Sequence, residues 1–170
     1  KVFNSSDIVI IAIPSQSIRG VISQLENKLV SDNKVIVNVS KGIEVGTLKT
    51  SGQIIKEITG IKSENTVTLS GPSHAEEVVA GHPTTLVSAS VDLNSAKKIQ
   101  KLFSNEKLRI YTNKDVRGVE LGGAMKNVIA IAAGISDGIG FGDNSKAALM
   151  TRGMREIARL GQAMGADPNP

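Results

Sequence analysis

Lys126 stands in a stretch, residues 119–135, where nearly every side chain is small or apolar, and its only strongly polar companions are Glu120 and Asn127. Nothing turns the chain before the cluster Ser136, Asp137, Gly138, so the stretch predicts a helix packed on several sides. A lysine held in such a helix loses hydration, which disfavours its ammonium form and makes it usable as a general acid or base near neutral pH. A lysine can also snorkel to the surface or pair with a carboxylate, and then it does no chemistry. Gly122 and Gly123 precede Lys126 by one turn. Each costs a helix roughly 1 kcal/mol relative to Ala, and each lets another backbone or a ligand come close. Glu120, Gly123 and Asn127 share one helix face, with Lys126 about 100° round from Asn127.

Other polar groups that could join this lysine follow apolar runs too short for helices. Residues 7–13 (DIVIIAI), 34–39 (KVIVNV) and 66–69 (TVTL) read as buried strands, and each ends in a turn: Pro14-Ser15, Lys41-Gly42 and Gly71-Pro72-Ser73. Between them, Ile18, Val21, Ile22, Leu25 and Leu29 mark a helix over 16–30, and Leu48, Ile54, Ile55 and Ile58 mark another that finishes at Gly60. Strand and helix signals alternating in this way predict an α/β fold of the doubly wound, Rossmann type. Ligands bind at the carboxyl ends of such strands, so the three turns are expected to converge on one crevice. Ser73 with Glu76 also fits a helix capping box, which leaves outward-pointing N–H groups suited to an oxygen-rich ligand. Lys41 reads equally as a solvated loop lysine or as a crevice cation, and His74 is assigned no chemistry.

Residues 84–89 and 108–111 read as further strands at the sheet edge, the first of them a candidate antiparallel strand, with an amphipathic helix over 96–103 between them. A domain boundary is expected near Val116, giving a dinucleotide-binding part over 1–115 and the start of an all-helical part over 116–170. The helical part holds the Lys126 helix, a glycine-rich loop over 138–142 and a last helix from near Ser145 to Gly165.

The 170 residues suffice to bury roughly 70% of the surface that the unfolded chain exposes. The absence of cysteine excludes disulfides and thiolate metal sites, and two isolated histidines offer no paired metal motif. A net charge of +4 suits an anionic ligand, but basic and acidic residues are interspersed. With no Trp, one Tyr and three Phe, a base-stacking surface is not expected, so nucleic acid is not an expected partner. No unbroken apolar run approaches the ~20 residues of a membrane span. Both ends of the sequence look cut.

VSKGIE at 39–44, SGPSHAEEV at 70–78 and the long block VELGGAMKNVIAIAAGISDGIGFGDNSKAALMTRGMREIARLG at 119–161 closely resemble the bacterial NAD(P)-dependent glycerol-3-phosphate dehydrogenases. The likeness runs in the right order over essentially the whole chain. It implies hydride transfer between sn-glycerol 3-phosphate and NAD or NADP, with NADPH the expected form, in cytoplasmic phospholipid biosynthesis. By the same resemblance Lys126 is the general acid/base, and Lys41, Gly71, Ser73, Lys126 and Asn127 touch the substrate. Lys41, Ala75 and Pro14 would touch the cofactor, and a homodimer is a possible assembly.

The family's GxGxxG fingerprint is not in this sequence, nor are its later aspartate and its serine-arginine-asparagine cluster. The chain therefore reads as the middle of such an enzyme and is expected to turn over no substrate in isolation. Two alternatives stay open: another reductase of the same broad group, acting on ketopantoate or a hydroxyacid, or a non-catalytic dinucleotide-binding or oligomerising module.

Overall fold

The computed structural model describes residues 6–25 and 34–168. The helix expected over 16–30 is seen as a single turn at Ser15–Ser17 followed by α1 (Ile18–Ser23), and residues 26–30 of that expectation lie outside the described residues.

β1 (Ile8–Ile11), β2 (Val35–Asn38), β3 (Thr66–Ser70), β4 (Thr84–Ala89) and β5 (Leu108–Asn113) form one sheet in that order. β1, β2 and β3 are parallel, β4 runs antiparallel to β3, and β5 is parallel to β4. The antiparallel step falls on residues 84–89, and everything before it has the parallel arrangement the apolar runs predict.

Side-chain alternation along the strands builds a core on each face. On one face Ile11 and Ile36 pack with Ile18 and Ile22 of α1 and with Ile54 and Ile55 of α2 (Ser51–Thr59). Val37, Val67, Leu69, Leu86 and Ile110 pack on the other face, with Ile99 of the later helix over Leu93–Phe103. β3 therefore sends Val67 and Leu69 to one side and Thr68 and Ser70 to the other. Leu48, expected in α2, lies in the preceding loop at φ 57° and is exposed. The helix starts later because the Gln53 side chain accepts the Thr50 N–H at 3.0 Å, and it ends at Gly60 with φ 64°.

After the short α3 (Ala75–Val79) and α4 (Leu93–Phe103), the chain enters α5 (Val116–Gly138), where the Asp115 side chain accepts the Gly118 N–H at 2.9 Å. α6 (Gly142–Ala163) folds back along α5, so only residues 139–141 remain of the expected glycine-rich loop. Arg117 at the start of α5 donates to the Met164 carbonyl at 2.6 Å, which ties the ends of this hairpin.

One expectation about α5 needs correction. It is not packed on several sides: Glu120 and Leu121 are buried near its start and Ser136 near its end, but Val128, Ile131 and Ile135 are exposed. It is also long and apolar enough, by length and composition, to cross a membrane. No unbroken apolar run of that length lies in it, because Arg117, Glu120, Lys126 and Asn127 interrupt the helix. It contacts β3 and β4, with Glu120 and Leu121 near its start buried.

Candidate functional site

The loops leaving β1 and β2 are bonded to each other. Ser40 Oγ accepts the Ile13 N–H at 3.2 Å and donates to the Ile13 carbonyl at 2.6 Å. The Asn38 side chain exchanges two 3.1 Å bonds with the Ser40 backbone. Gln16 donates to the Ile43 carbonyl at 2.8 Å and accepts the Val45 N–H at 3.0 Å. Gly42, at φ 144°, lies so close to Ser15 that any Cβ there would collide with the Ser15 hydroxyl. Lys41 is thereby carried on a braced loop beside Pro14-Ser15.

The third loop joins through Lys41 itself, whose amine donates to Ser73 Oγ at 2.9 Å. The capping box expected of Ser73 and Glu76 is absent: α3 begins at Ala75 with His74 as its uncapped N-cap. Ser73 instead accepts from Lys41 and donates to the Gly71 carbonyl at 3.4 Å, while Glu76 lies 3.2 Å from His74 Nδ1. Gly71 takes φ 150°, and a Cβ there would stand 2.9 Å from the Thr85 carbonyl oxygen, so only glycine fits this exit from β3. Pro14, on its loop, and Ala75, at the start of α3, are exposed.

α5 brings Lys126 to the same edge. Its amine donates to Asn127 Oδ1 at 3.1 Å, and the residue is half-buried rather than enclosed. Burial holds the Lys41 ammonium below its usual pKa, and the nearby charge of Lys126 lowers it further. Two amines thus share one small region with the Ser73 hydroxyl, an arrangement that attracts an anion and offers an acid where negative charge develops. Lys126→Gln should raise the Lys41 pKa part of the way back, leaving the share due to burial. Slower acylation of Lys41 at a pH of about 8, followed by mass spectrometry, would report it.

Below this pair, Glu120 docks α5 onto the sheet. Its carboxylate, 8% exposed, accepts the Gly52 N–H at 2.8 Å and the Thr68 hydroxyl at 3.2 Å. The helix periodicity had placed Glu120 on the face of Gly123 and Asn127 but gave it no task. Thr68 and Gly52 were not foreseen as its partners, nor Ser70 as the neighbour of Gly123. The alternation of β3 could have shown Thr68 and Ser70 turned away from Val67 and Leu69, towards whatever covers that face.

The family description "NAD-dependent glycerol-3-phosphate dehydrogenase N-terminus" matches residues 1–96, and the corresponding C-terminus description matches residues 115–170. The chain belongs to the NAD-dependent glycerol-3-phosphate dehydrogenase family. A glycerol-3-phosphate dehydrogenase from Oceanobacillus iheyensis, named for NAD(P)+, is 53% identical over 162 residues, 95% of this chain and 47% of that protein. One from Listeria monocytogenes is 55% identical over 166 residues, 97% of this chain and 49% of that protein. Among solved structures, the glycerol-3-phosphate dehydrogenase of Coxiella burnetii superposes with TM-score 0.86 at 32% identity, over 98% of this chain and 50% of that one. The Saccharomyces cerevisiae enzyme superposes with TM-score 0.83 at 28% identity, over 99% and 51%. The chain spans about half the length of the curated relatives it matches.

Proposed function

We propose that this segment forms the reaction centre of an enzyme that interconverts sn-glycerol 3-phosphate and dihydroxyacetone phosphate with NAD or NADP, NADPH being the expected form. The observation that carries the reading is the meeting of Lys41, Ser73 and Lys126 where two parallel strands end, in a chain of this family. The nicotinamide, when bound, supplies or takes the hydride. Pro14, Lys41 and Ala75 are the positions offered to it, and the close packing of the first two loops at Gly42 and Ser15 leaves their backbone as a firm rim. The glycine fingerprint that would hold the pyrophosphate is not in this sequence.

On the substrate side, Lys126 is the proton donor to the ketone oxygen as negative charge develops there, and in the reverse direction its neutral amine accepts the hydroxyl proton. Asn127, bonded to the Lys126 amine, orients it and is available to a substrate hydroxyl. Lys41, held by Ser73 and kept partly dehydrated, is a positive contact for substrate beside Gly71. The boundary of labour is placed near Val116: residues 1–115 serve the cofactor, and 116–170 begin the helical part that brings Lys126. That division is supported by the two family descriptions falling on either side of it. A cytoplasmic enzyme, working as a homodimer and supplying phospholipid synthesis, is the setting this reading implies.

The test places this segment in a polypeptide of full family length by exchanging it for its counterpart in the Oceanobacillus iheyensis relative. Oxidation of NADPH or NADH that depends on dihydroxyacetone phosphate and not on ketopantoate is the expected outcome. Turnover of ketopantoate alone, or of neither in a folded protein, would overturn the assignment.

A further inference from the structure

We infer that Ser70 and Gly123 form a contact that sets how far the Lys126 amine stands from Lys41 and Ser73, which makes Ser70 a positioning residue. The functional consequence rests on the proton-donor reading of Lys126; the spacing itself does not. A Cβ on Gly123 would collide with Ser70 Oγ, while the next nearest atoms, Ser70 Cβ and Lys41 Cγ, would be at ordinary contact distances of 3.6 and 3.7 Å. Nothing lies within 4 Å of a Cβ built on Gly122, Gly134 or Gly138 of the same helix. Of the paired glycines ahead of Lys126, then, one is free and the other is a seat.

Ser70 ends β3, immediately before Gly71, and is 5% exposed. Its hydroxyl is buried with no hydrogen-bond partner, an arrangement that costs stability and that alanine would avoid. It therefore acts by its bulk, as a stop against which the backbone of α5 rests. Lys126 follows Gly123 by three residues, about 4.5 Å along the helix axis, so a shift of the helix at Gly123 carries the amine with it. Lys41 lines the same contact through its Cγ. The stop thus fixes one amine relative to the other.

Four proteins test this: the parent, Gly123→Ala, Ser70→Ala and the double variant. A short bifunctional aryl difluoride joins amines that stand close together, and mass spectrometry counts the Lys41–Lys126 product without any substrate or turnover. Gly123→Ala should lose that product several-fold, Ser70→Ala, which takes the stop away, should shift its yield from the parental value, and the double variant should recover what Gly123→Ala loses, because removing Oγ leaves the new methyl at 3.6 Å from the nearest atom. Should Gly123→Ala fail to fold by circular dichroism, the double variant should fold again. A parental yield in Gly123→Ala or in Ser70→Ala, or a double variant no better than Gly123→Ala in product or in folding, overturns the inference. Since no turnover is read, a failure of Lys126 as proton donor would leave these outcomes unchanged.

Discussion

Lys126→Ala, introduced into the full-length chimera, is expected to lower kcat by about 10²-fold or more, the range over which a positioned acid or base contributes. The expectation follows from where charge develops. Reducing the ketone places negative charge on its oxygen, and of the two amines at the strand ends, Lys126 alone is not engaged by Ser73. Losing it removes an interaction made in the transition state, so kcat and kcat/KM should fall together with KM little changed. If Lys126 served only the packing of α5, its removal would change stability and leave turnover intact. Steady-state rates with dihydroxyacetone phosphate, paired with a urea melt of the same variant, separate these cases.

The parts of this arrangement that were legible in the sequence are those set by local pattern. Unbroken β-branched runs gave β1, β2 and β3, and the turn residues after them placed Pro14, Lys41 and Ser73 at one edge before any contact was known. Lys126 stood out because a charged residue in an apolar helix requires a reason. The parts that were not legible depend on which partner reaches a group first. Ser73 had the spacing of a helix cap, yet the Lys41 amine, 32 residues earlier in the chain, takes the hydroxyl, and α3 starts without it. Likewise, apolar composition told that α5 has surface to cover but not how much of it this chain covers. Ile131 and Ile135 remain exposed although they are the same residue type as the buried Ile54 and Ile55. Ser70 carried no signal except its strand parity, because a residue that works by bulk looks like any other small residue.

Glu120 is where the second large effect is expected, on stability. Glu120→Ala should cost about 3 kcal/mol, since it strands the Gly52 N–H and the buried Thr68 hydroxyl and leaves a gap between α2 and α5. The isosteric Glu120→Gln asks a finer question. Burial raises the Glu120 pKa above its ordinary value, against the bonds from Thr50, the Gly52 amide and Thr68 and the charge of Arg117, all of which favour the ionised form. A carboxyl raised on folding contributes most stability below its unfolded pKa and loses it as the pH climbs through the folded value. The parent should therefore be most stable relative to Glu120→Gln in acid and should lose ground towards neutral pH, as urea melts across that span would show. A difference that instead grew with pH would mean that the hydrogen bonds and Arg117 outweigh dehydration. The joint between α5 and the sheet would then be held by a carboxylate charge, and acid, not neutral pH, would loosen the helix that carries Lys126.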